Sequence, residues 1–293
     1  MAKRFGIDFF LTKTCNKACY YCTSFTKEQR NLEVDLDFLK FVLDEFKKYG
    51  TNNFVVRLLG GEPALINNLN EVINILRSYN LQKIAVYSNS LIRKKYPWIL
   101  EDDSIDYFEH LFYKIENKKI LKLGNYEFFE ENNLNNNNIV VLTNNFITEY
   151  KNVNLTPLMN KNTIWKMVND RSKVDTIDKY IQNYSDFKLY IETNNLKVAS
   201  NSWEVNKLNN LNRKLCSNCP PSPVINFENK TIHHCSKVPN FSKTASCNEE
   251  NINKLVTMKL FNDFPNYCRT CKEPSLDNRI KYKELSSKGT PIN

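Results

Sequence analysis

Through its first half the chain alternates apolar, β-branched runs with amphipathic stretches of helical period, and that alternation leaves few folds open. The strand-like runs are Phe5–Leu11, Asn53–Leu58, Lys83–Ser88, Tyr107–Tyr113, Asn138–Leu142 and Asn152–Leu158. Between the first two, Leu36, Leu39, Val42, Leu43 and Phe46 recur at i, i+3, i+4 spacing, and Gly50 follows where a helix C-terminal cap belongs. A second helix is predicted from about Asn68 to Tyr79, with Val72, Ile75 and Leu76 on one face. Strands separated by helices pair in parallel through helical crossovers, so the sequence predicts an α/β fold of six strand–helix units. In parallel barrels of this kind, ligand-binding residues sit at the C-terminal ends of the strands. The residues that close each run are therefore where chemistry is expected.

Three runs end in such residues. After the first comes Thr14-Cys-Asn-Lys-Ala-Cys-Tyr-Tyr-Cys22, which puts Cys15, Cys19 and Cys22 at C-x3-C-x2-C spacing in one loop. Three thiolates that close together can grip one iron–sulfur cube. A cube has four irons, so one is left without a protein ligand, whereas electron-transfer clusters normally have all their irons closed. An open iron reads as a catalytic site. After the second run stands Gly60-Gly61-Glu62-Pro63. Two glycines let backbone approach a ligand closely, and Glu62 supplies an acceptor for an ammonium. The third run, Ile84-Ala-Val-Tyr-Ser-Asn-Ser90, ends in small polar residues that include Ser88 and Asn89. A zinc knuckle followed by an ordinary turn is the plain alternative. Against it stands the occurrence of both motifs in order, each ending a strand-like run.

This set of motifs resembles the radical S-adenosylmethionine (SAM) superfamily, whose cysteine motif is C-x3-C-x-aromatic-C; Tyr21 occupies the aromatic slot. The resemblance implies a partial TIM-like (βα)6 barrel. It also implies a [4Fe–4S] cluster on Cys15, Cys19 and Cys22, with the open iron holding the amino and carboxylate groups of SAM. Gly60, Gly61, Glu62 and Pro63 would hold the methionine end of SAM, with Tyr21, Ser88 and Asn89 as lesser contacts. The implied reaction is cleavage of SAM to a 5′-deoxyadenosyl radical that abstracts a hydrogen from substrate, fed by a reduced flavodoxin- or ferredoxin-like electron donor.

From about Lys161 the strand–helix rhythm is expected to fade, with amphipathic stretches near Thr176–Tyr184 and a cysteine-rich tail from Cys216. We place a domain boundary near residue 205, giving a core of 1–205 and a cysteine-rich domain of 206–293. The polar stretch Asn132–Asn138 reads as an exposed loop. The tail holds Cys216, Cys219, Cys235, Cys247, Cys268 and Cys271. Two C-x2-C pairs flank a predicted hairpin from Val224 to Cys235, turning at Glu228-Asn229-Lys230. The tail resembles the SPASM and shorter twitch extensions of radical SAM enzymes. That resemblance implies one auxiliary [4Fe–4S] cluster on Cys235, Cys268, Cys271 and either Cys219 or Cys216, with Cys219 favoured by its spacing to the hairpin. The chain departs from the family pattern at Lys230, where a glycine is usual. A four-cysteine zinc site is the alternative. However, the 48 residues between the pairs exceed a ribbon gap of roughly 15–20, and Cys235 has no role in a ribbon. His233 and His234 read either as hydrogen-bond donors to the cluster or as exposed strand-end residues. Cys247 is left over: an incidental surface thiol, an unusual cluster ligand, or a hydrogen-atom donor to a substrate radical, as in relatives that epimerise a carbon.

At 293 residues and 41% hydrophobic, the chain can bury a substantial core. Its net charge of +9 is spread along the length without a block of like charges, so composition explains it better than nucleic-acid binding does. No apolar run approaches the ~18 residues of a membrane span, and Asp8 interrupts the first apolar run, so neither a membrane anchor nor a signal peptide is expected. Cysteines at metal-ligand spacing suit a reducing cytoplasm. The substrate is expected to be a peptide, modified by cross-linking or epimerisation, or a small alcohol that is oxidised or epimerised. The 14 residues before Cys15 leave no room for an N-terminal peptide-recognition domain. Nucleotide or RNA modification stands behind these, and a zinc-binding interaction module without catalysis is the reading of another class.

Overall fold

The computed structural model describes residues 5–17, 32–50, 54–122, 137–142, 144–155, 158, 163–167, 177–194, 223–233 and 244–256. The chain divides into two units, Met1–Tyr107 with Ser217–Arg269, and Phe108–Cys216 with Thr270–Asn293.

In the first unit, the expected strands form β1 (Phe5–Phe10), β2 (Phe54–Leu59) and β3 (Lys83–Ser88). All pair in parallel: Ile7 lies opposite Val56 and Val56 opposite Ile84, and one step along Phe9, Leu58 and Val86 form a second row. These two rows make one buried face of the sheet, because side chains alternate along a strand. Two helices belong to the same core, α1 (Leu36–Lys47) and α2 (Leu69–Ser78), through Leu39, Val42, Leu43 and Phe46 and through Val72, Ile73 and Leu76. Phe46 stacks on Phe54 at 4.9 Å. Asp35 caps α1, accepting from the backbone N–H of Asp37 and Phe38. Past its end Gly50 adopts a left-handed φ of 82°, as the C-terminal signal predicts. Two short helices follow β3, α3 (Leu91–Lys95) and α4 (Trp98–Glu101). The strand β4 (Ile105–Glu116) then runs across the division between the units.

In the second unit, β4 pairs antiparallel with β5 (Lys119–Lys122) and parallel with β6 (Asn137–Leu142), and β6 pairs parallel with β7 (Thr163–Met167). Helices α5 (Asn144–Glu149) and α6 (Ile177–Thr193) pack together through Phe146, Tyr150 and Phe187. Six strands of the expected parallel set are thus present in order, and among the described residues each except β4, which leads into β5, is followed by a helix; one strand needs correction. The sixth strand is β7; Asn152–Leu158 does not form it. A 3-10 turn spans Tyr150–Asn152, and Leu155 and Leu158 are buried as loop anchors. Pro157 in that stretch has no N–H for a ladder, which counts against a strand there. The rhythm accordingly does not fade after Lys161: β7 and α6 continue it, and of the amphipathic stretch near Thr176–Tyr184 the described residues, from Ile177, form the first half of α6. Asn137 and Asn138 open β6, while 132–136 and the expected boundary near 205 lie outside the described residues.

The tail's hairpin exists and joins the first unit's sheet. It consists of β8 (Val224–Asn226) and β9 (Thr231–His233), extended by β10 (Thr244–Ser246) and followed by α7 (Glu249–Val256). β8 pairs in parallel with β1, setting Asp8 opposite Val224 and Phe10 opposite Asn226. Phe227, just beyond β8, sits between Phe9 and Phe38, with ring centroids at 5.1 and 5.3 Å.

Candidate active site at the strand ends

The backbones of β1 and β2 stay paired beyond the last residues of the strands. The N–H of Gly61 donates to Thr12 O at 2.7 Å and that of Glu62 to Thr14 O at 2.9 Å, so the loop leading into Cys15 lies directly against Gly60–Glu62. Only glycine fits here. A Cβ on Gly60, whose φ is 136°, would stand 2.5 Å from Thr12 O, and one on Gly61 would stand 2.0 Å from Thr14 O. Among the described residues, the close approach these glycines permit is to the cysteine loop's own backbone.

Glu62 joins the third strand to the other two. Its side chain is fully buried, and its carboxylate accepts from Ala64 N–H (3.0 Å), Ser88 Oγ (2.7 Å) and Asn89 N–H (2.8 Å). Burial pushes its carboxyl up from the ordinary value, while these donors and the charge of Lys17 pull it back. Pro63 opens a 3-10 turn, Pro63–Leu65, for which Glu62 is the cap. Asn89 then reaches the cysteine loop: its Nδ2 donates to Asn16 Oδ1 at 2.9 Å and lies 3.7 Å from Cys15 Sγ. Cys15 is half-buried, and its sulfur also accepts from Lys17 N–H at 3.4 Å. Two N–H donors are thus directed at a sulfur that also lies 4.0 Å from Asn16 Oδ1, and such donors suit a sulfur that ligates iron. This donor set fits a cluster ligand. Cys19, Tyr21 and Cys22 lie outside the described residues.

Several contributors were not singled out from the sequence. Asp8 and Arg57 stand opposite one another on β1 and β2 and form an ion pair, Nε to Oδ1 at 2.5 Å. Beside them, burial pushes the Tyr87 hydroxyl up to about 12; Arg57 pulls it back, and Asp8 and Asp106 add to the rise. Opposite charges interrupting two neighbouring apolar runs were the available signal. Glu228, at the tip of the β8–β9 hairpin, accepts from Lys13 N–H (2.6 Å) and Thr12 Oγ1 (3.2 Å). Nothing local in the sequence links residues so far apart.

In the tail, Cys216, Cys219, His234, Cys235, Cys268 and Cys271 lie outside the described residues. His233 is buried, its Nε2 3.0 Å from Thr231 Oγ1, so it is not an exposed strand-end residue. Cys247 is not a surface thiol either. It is 9% exposed within the apolar cluster that holds Phe38, Phe227, Ile252 and Leu255, and burial pushes its thiol up to about 12. No helix among the described residues is long and apolar enough to cross a membrane.

Comparisons with known proteins agree with this geometry. No protein-family profile matches the chain. A probable GTP 3',8-cyclase of Methanococcus maripaludis is 28% identical over 100 residues, covering 33% of this chain and 32% of the relative. The GTP 3',8-cyclase of Helicobacter pylori is 31% identical over 122 residues, covering 39% and 36%. The chain thus spans about a third of the length of these curated relatives. Among solved structures, native anSMEcpe with bound AdoMet and Cp18Cys peptide superposes with a TM-score of 0.60 at 13% identity, over 90% of this chain and 81% of that one. Streptococcus suis SuiB bound to S-adenosylmethionine gives a TM-score of 0.57 at 14% identity, over 90% and 68%. At these identities the likeness is one of fold.

In an α/β protein whose parallel strands β1 to β3 gather polar residues at their C-terminal ends, that edge is where a ligand is expected to bind. The motifs, the fold and the relatives together place the chain in the radical SAM superfamily. Membership implies a [4Fe–4S] cluster and SAM.

Proposed function

We propose that the chain is a radical SAM enzyme that takes a hydrogen atom from a peptide or small-molecule substrate, leading to oxidation or cross-linking. The observation that carries this reading is the Cys15 sulfur, which faces two N–H donors in a loop fastened to Gly60–Glu62. When bound, the cluster and SAM supply a 5′-deoxyadenosyl radical. The chain's own residues do the positioning. Cys15, Cys19 and Cys22 hold the cluster, and Asn89 and the Lys17 N–H orient the Cys15 sulfur. Gly60, Gly61, Glu62 and Pro63, with Tyr21, Ser88 and Asn89, shape the seat for SAM's methionine end. Glu62 contributes chiefly by fixing the strand ends, since three donors from its own chain already occupy its carboxylate.

The tail is proposed to hold one auxiliary [4Fe–4S] cluster through Cys235, Cys268, Cys271 and either Cys219 or Cys216; such a cluster would take up the second electron when a substrate radical is oxidised, or would order the substrate pocket. Epimerisation with Cys247 as hydrogen donor is left out of this reading, because a donor thiol must face the substrate and Cys247 is enclosed by the core. Nucleotide substrates form the second reading, favoured by the cyclase names of the sequence relatives.

Anaerobically purified protein should carry about eight irons and, once reduced, convert SAM to 5′-deoxyadenosine and methionine. Replacing Cys15, Cys19 and Cys22 together by Ala should abolish cleavage and leave about four irons in the tail. Undiminished cleavage in that variant would overturn the cluster assignment, and zinc in place of the remaining iron would overturn the auxiliary cluster. Consumption of GTP, with no turnover of any peptide, would move the substrate to the second reading.

A further inference from the structure

The loop that carries Cys15 is held on two flanks. On the β2 side, Gly61 and Glu62 donate their N–H groups to Thr12 O and Thr14 O. On the opposite side β8 runs parallel to β1, and its ladder ends where Phe227 N–H donates to Phe10 O at 3.0 Å. There the hairpin turns, and a parallel ladder would have no further carbonyl to offer the cysteine loop. Glu228 takes that place with its side chain. Oε1 accepts from Lys13 N–H at 2.6 Å and from Thr12 Oγ1 at 3.2 Å, and Thr12 Oγ1 in turn accepts from Thr14 N–H at 3.0 Å. Oε2 is shielded from solvent and makes no hydrogen bond to the described residues. The carboxylate is therefore turned into the loop although Glu228 sits at a hairpin tip. Asn226 fixes the turn from which it projects, accepting from Glu228 N–H at 3.0 Å.

We propose that Glu228 is a positioning residue for the cysteine loop, through which the hairpin of the cysteine-rich tail sets the seat of Cys15. A short, charge-assisted hydrogen bond to a backbone N–H two residues before Cys15 constrains the loop more than a neutral or exposed contact would. Thr12 and Thr14, which the same carboxylate orders directly and indirectly, are buried, so water cannot easily replace it. The link gives the tail a means of acting on the SAM-cleaving end of the molecule without touching SAM. This inference rests on the proposed role of Cys15 as a cluster ligand.

The test uses the full chain with three variants. Glu228→Ala removes the acceptor; Glu228→Gln keeps an oxygen for Lys13 N–H. Lys230→Ala removes the neighbouring tie between the hairpin and Asp35, and serves as a control for loosening the hairpin in general. In metal-free protein, mass spectrometry should show Cys15 alkylated about tenfold faster in Glu228→Ala, the scale of one charge-assisted hydrogen bond. Glu228→Gln should stay within about threefold of wild type, since a neutral acceptor is roughly half as strong. In reconstituted protein, Glu228→Ala should change the electron paramagnetic resonance signal of the reduced N-terminal cluster with SAM bound, and raise the KM for SAM more than it lowers kcat. Lys230→Ala should lower the melting temperature and move none of these readouts. Wild-type labelling and signal in Glu228→Ala would overturn the proposal, as would equal changes in Lys230→Ala. Absence of any N-terminal cluster in the wild type would instead remove the functional reading, while the metal-free labelling still decides whether Glu228 sets the loop.

Discussion

The strand ends around Gly60–Glu62 and the hairpin tip around Glu228–Lys230 both fasten the first unit's sheet, and they do so in opposite ways. At the strand ends the ties are close: backbone meets backbone, and one carboxylate with no solvent exposure receives three donors. At the hairpin tip the ties are side chains reaching across from half-buried or exposed positions. Glu228 reaches the cysteine loop, and Lys230 reaches Asp35 at 2.7 Å and the Phe38 ring at 5.3 Å. A buried network cannot exchange a lost partner for water, whereas an exposed ion pair can. The strand ends should therefore tolerate almost nothing and the exposed Lys230–Asp35 tie a good deal, while the shielded Glu228 carboxylate falls between them.

The largest effect should come from Gly61→Ala. The added methyl would stand 2.0 Å from a backbone carbonyl oxygen, which has no rotamer by which to move aside. The two loops must separate, at a cost of about 3 kcal/mol or more. Urea denaturation should show that loss, and reconstituted protein should lack the N-terminal iron. A variant as stable as wild type would mean that the loops are not packed as described. Glu62→Gln should come next. It replaces one carboxylate oxygen by an amide nitrogen, which cannot accept, where N–H and O–H groups converge, a loss of about 1.5–3 kcal/mol for hydrogen bonds to a charged group. If SAM binding falls while stability is unchanged, the carboxylate serves ligand rather than scaffold, and the contrast drawn above weakens.

The same contrast explains what could be read from the sequence. Gly60–Pro63 is a local string, so its importance was legible, although the reason given for the glycines was approach to a ligand, and the structure adds approach to Thr12 and Thr14. Strands β1 to β3, α1 and α2 were legible for a similar reason: period and caps are local properties. Strand β7 was missed because Thr163–Met167 is only five residues long and is interrupted by Lys166, whereas the longer Asn152–Leu158 offers as many apolar side chains, Val153, Leu155 and Leu158, but also Pro157. The Glu228 link and the Asp8–Arg57 pair were not legible as contacts, since each joins residues brought together only by strand register. Cys247 reads as polar from its neighbours Lys243, Ser246 and Asn248, yet the start of α7 folds it into the core.

The smallest effect, and the most discriminating one for the hairpin, concerns Lys230. It occupies a left-handed φ of 53°, a conformation that glycine adopts without steric cost. A non-glycine residue there costs roughly 1 kcal/mol. Offsetting this are an exposed ion pair with Asp35 and a cation–π contact with Phe38, each about 0.5–1 kcal/mol. Lys230→Gly relieves the first and loses the other two, so at neutral pH it should lie within about 1 kcal/mol of wild type. The pH dependence carries the test. The hydrogen bond from Lys230, followed by that from Phe38 N–H, holds the Asp35 carboxyl below its ordinary value. A lowered carboxyl contributes stability that is complete above the ordinary carboxylate range and is lost as pH falls through the lowered value. Wild type should therefore lose ground to Lys230→Gly on acidification. Asp35→Asn isolates the charge, because asparagine still caps α1. In that background Lys230→Gly should be the more stable partner even at neutral pH, and the gap should no longer change with pH. Urea midpoints for the four proteins of this cycle measure both expectations. A pH-independent difference in the Asp35 background would show that the lysine is kept for its contact with Phe38 alone.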